Sequence, residues 1–284
     1  MMPGLELAIA SMIFFGLADL SYKRGAAAGV KAHYFIMLQG WFFAPAVTLY
    51  GLATGTLAVG TPLLWGMSAG LFVFIALYHF ARALEGGSVS IVAPVFRLSF
   101  TITVALAVLL LGEPLTAWKI GGLVLALAAV WMLLGGEARG ASAPATARLA
   151  LVQALIAMAA MGVANFLYKV GATTGGSAAS FIAGQACLFL PLTTAFAWLK
   201  ERSIRPPAGS WKYGAAAAAT FLIALIFMFE SLGRAQASVV VPITQMGFVI
   251  TAVFGLAFLR EPFTMRKTAG LVLAIAALAS LAHS

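Results

Sequence analysis

The sequence predicts an all-α polytopic membrane protein in which ten transmembrane helices form two inverted five-helix repeats. Three observations carry that expectation. The 284 residues are 63% hydrophobic and only 9% charged, with mean hydropathy +1.04, whereas a soluble domain carries roughly 25% charged residues. Ten apolar stretches approach the ~20 residues that a membrane-spanning helix needs. The chain also repeats itself once, with five stretches in each copy. Such a composition leaves too little polar surface to cover an apolar core in water, so lipid is the solvent; soluble enzymes, nucleic-acid-binding domains and secreted scaffolds are excluded. The net charge of +9 falls mostly between the apolar runs, where it suits anionic lipid headgroups. Cys187 stands alone inside an apolar run, which rules out an intrachain disulfide and a cysteine metal site.

The elements follow in order. The first span, 2–22, carries Glu6 near its start and lacks the basic leader of a cleaved signal peptide. Gly25 and Gly29 punctuate the join to the second span, 33–53, and Gly60–Pro62 the entry to the third, 62–84. The fourth, 88–111, follows Gly86–Gly87, and the fifth, 116–135, follows Glu113–Pro114. The longest join holds Ala-Ser-Ala-Pro-Ala-Thr, so the expected organisation is a first repeat over 1–136, a linker over 137–148 and a second repeat over 149–284. Spans six to ten are expected at 149–168, 178–199, 211–232, 236–259 and 265–283. Trp65, Trp118, Trp131, Trp198 and Trp211 fall near span ends, as interfacial aromatic belts require.

The duplication is read from polar residues. Glu113–Leu125 aligns with Glu261–Leu273 at an offset of 148, with eight identities in thirteen, and the same offset pairs Pro94 with Pro242. An offset of 146 pairs Gly16, Tyr22, Lys23, Gln39 and Pro45 with Gly162, Tyr168, Lys169, Gln185 and Pro191. An odd number of spans per copy turns the second copy upside down. The charges agree: the odd-numbered joins hold thirteen Lys and Arg residues, the even-numbered joins only Lys119, Lys169 and Arg234. The positive-inside rule then places the odd joins in the cytoplasm and both termini on the periplasmic side. Inverted repeats are an architecture of secondary transporters, with the site at the interface of the halves near the midplane.

Ten spans, two inverted halves and a Glu-Pro-x-Thr-x-x-Lys-x-x-Gly run opening the fifth helix of each half make the chain similar to the EamA-type drug/metabolite transporter superfamily. It most resembles the aromatic and hydrophobic amino-acid exporters there. The resemblance implies an exporter of the bacterial inner membrane, with a central cavity lined mainly by the first four helices of each half and a peripheral fifth and tenth helix.

Ionisable groups inside a span are costly and therefore informative. Arg97 lies near the middle of span four; either Asp19, Glu85 or Glu230 neutralises it, or its guanidinium clamps a substrate carboxylate. Its repeat counterpart is the neutral Gln245. Pro94 and Pro242, three residues earlier, leave the carbonyls of Ser90 and Ser238 without a donor and are candidate hinges. Asp19, whose counterpart is Asn165, is a candidate coupling group for protons, or the partner of Lys23 one turn on. Tyr78 and His79 face Ile226 and Phe227 across the repeat and break its symmetry, which makes them candidates for substrate contact. Trp41 sits deeper than the other tryptophans and is placed to stack on an aromatic substrate. Glu113 and Glu261, each followed by proline, read as caps of the helices they precede; Lys23 and Lys169 read as snorkelling anchors.

The expected function is alternating-access export of amino acids, aromatic and other apolar ones with threonine and methionine among them, and of related small metabolites. The alternative is a multidrug or nucleotide-sugar carrier of the same fold. The expected partners are the small-molecule substrate, the lipid bilayer and, on one reading of Asp19, protons; the chain is expected to act as a monomer without cofactor, metal or nucleic acid. An intramembrane enzyme would need paired aspartates, a His-Glu-x-x-His or a Gly-x-Ser-x-Gly within the spans, and the sequence contains none there.

Overall fold

The computed structural model describes residues 3–86, 89–134, 144–258 and 264–283. Glu261, Arg139, Arg260, most of the expected linker and the side chains of Glu85 and Lys267 lie outside what is described. The described residues form twelve helical segments: α1 (Leu5–Ala27), α2 (Ala32–Ala53), α3 (Thr61–Gly86), α4 (Val89–Arg97), α5 (Ser99–Leu111), α6 (Ala117–Leu134), α7 (Pro144–Thr173), α8 (Ala178–Glu201), α9 (Trp211–Arg234), α10 (Ala237–Gln245), α11 (Gly247–Phe258) and α12 (Met265–Ala282). Eight stretches are long and apolar enough to cross a membrane, and α6 and α12 contribute two shorter apolar helices. The count of ten spans is kept because α4 with α5, and α10 with α11, are each one expected span broken in two.

Helix α7 starts at Pro144, inside the expected 137–148 linker. Proline at the first position of a helix loses no hydrogen bond, since that N–H has no intrahelical acceptor, so the helix begins four residues before the apolar span itself, Arg148–Thr173.

The repeats interlock. Helix α1 packs on α9, α11 and α10 of the second half, α7 packs on α3, α5 and α4 of the first, and α2 and α3 both pack on α8. Helices α6 and α12 pack mainly on each other, outside this core. The close crossings are made by small residues, as in membrane helix pairs generally. A Cβ on Gly16 would stand 2.5 Å from the Ile250 Cβ and 2.6 Å from the Gly247 carbonyl oxygen; one on Gly162 would stand 2.5 Å from the Ile102 Cβ and 2.8 Å from the Ser99 oxygen. The carbonyls exposed by these glycines are used: Thr251 donates to Gly16 O at 3.0 Å and Thr103 to Gly162 O at 3.0 Å. The same contact is thus built twice, once for each half.

Candidate functional site

The site begins with two helix breaks. Pro94 and Pro242 lie inside α4 and α10, and each helix is interrupted four residues later, at Leu98 and at Met246. Around both interruptions the backbone tightens to bonds spanning three residues: Leu98 N–H to Val95 O at 3.1 Å and Thr101 N–H to Leu98 O at 2.9 Å; Met246 N–H to Ile243 O at 3.0 Å and Val249 N–H to Met246 O at 2.9 Å. Missing proline donors and tighter turns are recognised causes of a helix bend. Arg97 and Gln245 are the last residues of their half-helices, so the breaks deliver both side chains to one place.

There Arg97 forms an ion pair with Asp19 of α1 and donates through Nη1 to Gln245 Oε1 at 3.4 Å. With Gln245 the cluster joins three helices and both repeats. Its side chains are not sealed: Arg97 retains 18% and Asp19 27% of its accessible surface. Asp19 therefore turns to Arg97 and not along its own helix to Lys23. The second candidate partner of Arg97, Glu230, instead pairs with Arg234 one turn on, at 3.4 Å. One turn from Asp19, Tyr22 donates to Gln39 of α2, and its repeat mate Tyr168 donates to Gln185 of α8. These bonds link the first two helices of each half in the same way.

Other candidates have different partners. His79 bonds through Nδ1 to Gln153 of α7. Tyr78 packs edge-on to Phe196, and its hydroxyl accepts from Arg82 Nη1 at 3.2 Å. The two adjacent residues of α3 thus turn to different neighbouring helices, His79 to α7 and Tyr78 to α8. Trp41 has partners of its own: its indole N–H donates to Thr194 Oγ1 at 2.9 Å, its ring lies 5.8 Å from that of Trp211, and with Pro191, Trp198 and Ile204 it lines a groove between α2 and α8.

Two expectations about charged anchors are corrected. Lys169 does not snorkel: its Nζ donates to Leu232 O at 2.8 Å and Ala235 O at 2.7 Å, capping the carbonyl end of α9. Glu113 does not cap the helix it precedes. Its carboxylate accepts from Ala237 N–H at 2.7 Å, Ser238 N–H at 2.9 Å and the Ser238 hydroxyl at 2.5 Å, so it caps α10 from across the repeat boundary. Buried N–H groups at a helix start need an acceptor, and a carboxylate there also meets the positive end of the dipole. Lys119, 1% exposed, donates to Gln236 in the same layer.

The two ends of the bundle differ. At the end with few basic residues, α10 is buried from Ala237 to Thr244 and packs on α1, α5 and α9. Its counterpart α4 starts at the basic end and packs mainly on α7, α6 and α3. Ile91 there is 43% exposed while its mate Val239 is 2% exposed.

Sequence reasoning missed Gln153, the partner of His79, although an unmatched amide inside span six was visible. It also missed the state of Asn165, the counterpart of Asp19, which is 4% exposed with its Nδ2 unpartnered. Among the described residues no group of His, Cys, Asp and Glu is arranged to hold a metal ion.

Residues 2–135 and 148–282 each match the sequence model of the EamA-like transporter family. A search of curated proteins returns no match. Among solved structures, a crystal structure described simply as that of a protein is similar over 98% of this chain and 95% of that one, with TM-score 0.83 at 17% identity. That likeness is one of fold.

Proposed function

This chain belongs to the EamA-like transporter family, and on that premise we propose that it is an alternating-access exporter of amino acids in a bacterial inner membrane. The observation that carries the reading is the placement of Arg97. A mid-span guanidinium is expensive in lipid, yet here it sits at the junction of both repeats, beside both helix breaks, with part of its surface open. A cation held there is positioned to take a substrate carboxylate bidentately. The asymmetry of α4 and α10 supports a conformation closed at the end with few basic residues and open at the basic end. With the basic joins in the cytoplasm, that conformation is inward-open. Pro94 and Pro242 serve as the hinges about which α4 and α10 exchange places. A single central cation does not suit nucleotide-sugars, whose phosphates call for several.

The test is counterflow in proteoliposomes preloaded with unlabelled amino acids, with labelled threonine, methionine and phenylalanine outside. Saturable accumulation of label is expected, and Arg97→Ala is expected to reduce it at least ~10-fold, the loss that about 1.4 kcal/mol of binding would give. Wild-type counterflow by a folded Arg97→Ala protein would remove Arg97 from the site, and no counterflow with any amino acid would end the amino-acid reading.

A further inference from the structure

We propose that the Asp19–Arg97 pair is a receptor for zwitterions, in which the ligand replaces the internal ion pair by two external ones, its ammonium on Asp19 and its carboxylate on Arg97. The proposal rests on the transporter reading above and deepens it, since Asp19 becomes the residue that selects among carboxylates.

Three observations converge. The two opposite charges are adjacent, partly exposed and within their spans, so the pair is a contact that a solute can reach. Their repeat counterparts, Asn165 and Gln245, are uncharged, so no other charge of the duplicated positions compensates an unbalanced ligand. Asn165 also keeps an unpartnered buried amide donor at the position equivalent to Asp19. Breaking an ion pair in a weakly polar surrounding leaves two uncompensated charges unless both are paired again. A simple carboxylic acid pairs Arg97 but leaves Asp19 facing another carboxylate. A simple amine pairs Asp19 but leaves Arg97 bare. Only a ligand with both charges restores both partners, so the site rejects the other two by what they leave unpaired.

The experiment is binding to the purified full chain by isothermal titration, with two series of probes. One is phenylalanine, 3-phenylpropionate and phenethylamine; the other is methionine, 4-(methylthio)butyrate and 3-(methylthio)propylamine. The wild-type protein is expected to bind at least one amino acid, and to bind it at least ~10-fold more tightly than its acid or amine. Asp19→Asn is expected to invert the order in favour of the acid, and Arg97→Gln in favour of the amine. Asp19→Glu, which keeps the charge, is expected to keep the zwitterion preference and serves if the amide variant does not fold. Equal affinity for amino acid and acid in the wild-type protein, or an unchanged order in a folded Asp19→Asn protein, overturns the proposal while leaving amino-acid transport standing. Binding of none of the six probes, together with absent counterflow, overturns both.

Discussion

Glu113 shows how much one carboxylate holds together. It is 7% exposed and accepts three hydrogen bonds from the start of α10, and hydrogen bonds to a charged group contribute about 1.5–3 kcal/mol each to stability. Glu113→Ala leaves two backbone donors without their acceptor and is expected to lower the midpoint of thermal unfolding of the purified protein. It is also expected to loosen α10, which the labelling experiment below reads directly. The sequence offered part of this. A glutamate before a proline announced a helix terminus, but the terminus it serves begins more than a hundred residues later, and no local pattern reports such a partner. Arg97 was legible as a group in need of a partner because its cost in lipid is independent of context; which of three acids answered that need depended on how α1 and α4 are brought together. His79 and Trp41 were marked by residue type and depth alone, and their true neighbours, Gln153 and Thr194, lie on helices whose order in space the sequence did not specify.

At the level of helices, the duplicated crossings are closely packed. Gly16 and Gly162 admit Ile250 and Ile102 to the distance of direct contact, and over-packing a tight interior costs about 1–3 kcal/mol. Gly16→Val and Gly162→Val are each expected to lower thermal stability by at least that amount, whereas Gly121→Ala, whose added Cβ would meet nothing closer than 3.6 Å, is expected to be neutral. The spans themselves were readable because a membrane helix is defined by length and apolarity, properties of a continuous stretch. The breaks at Leu98 and Met246 were foreshadowed by Pro94 and Pro242, but their exact place was not, since a proline perturbs the turn before it and neighbouring packing decides where the helix resumes. The start of α7 at Pro144 shows the opposite case, a proline that begins a helix where a linker was expected.

For the whole molecule, the proposed exchange of α4 and α10 would make equivalent positions experience opposite environments. In a Cys187→Ala background, Val95→Cys is expected to react with a membrane-impermeant thiol reagent from the basic end, and its mate Ile243→Cys, 0% exposed at present, is expected to stay protected. Adding Glu113→Ala should raise the labelling of Ile243→Cys from the other end and reduce that of Val95→Cys; protection unchanged by the substitution would separate the cap from the gate. The inverted architecture was the most legible feature of all, because paired Glu, Lys, Gln, Tyr and Pro do not recur by composition alone and five spans per copy force the inversion.

The unequal charges of the two halves have an energetic consequence. Were the copies identical, the inward- and outward-facing forms would be related by a rotation and would be equally populated in a symmetric bilayer. Asp19 and Arg97 have uncharged mates, Asn165 and Gln245, so interchanging the conformations of the halves does not recreate the ion pair at the mirrored position. The two forms then differ in free energy even with no solute and no gradient. The empty carrier then has a preferred facing, and on the proposed reading the two residues that receive the solute also set where the carrier waits for the next one.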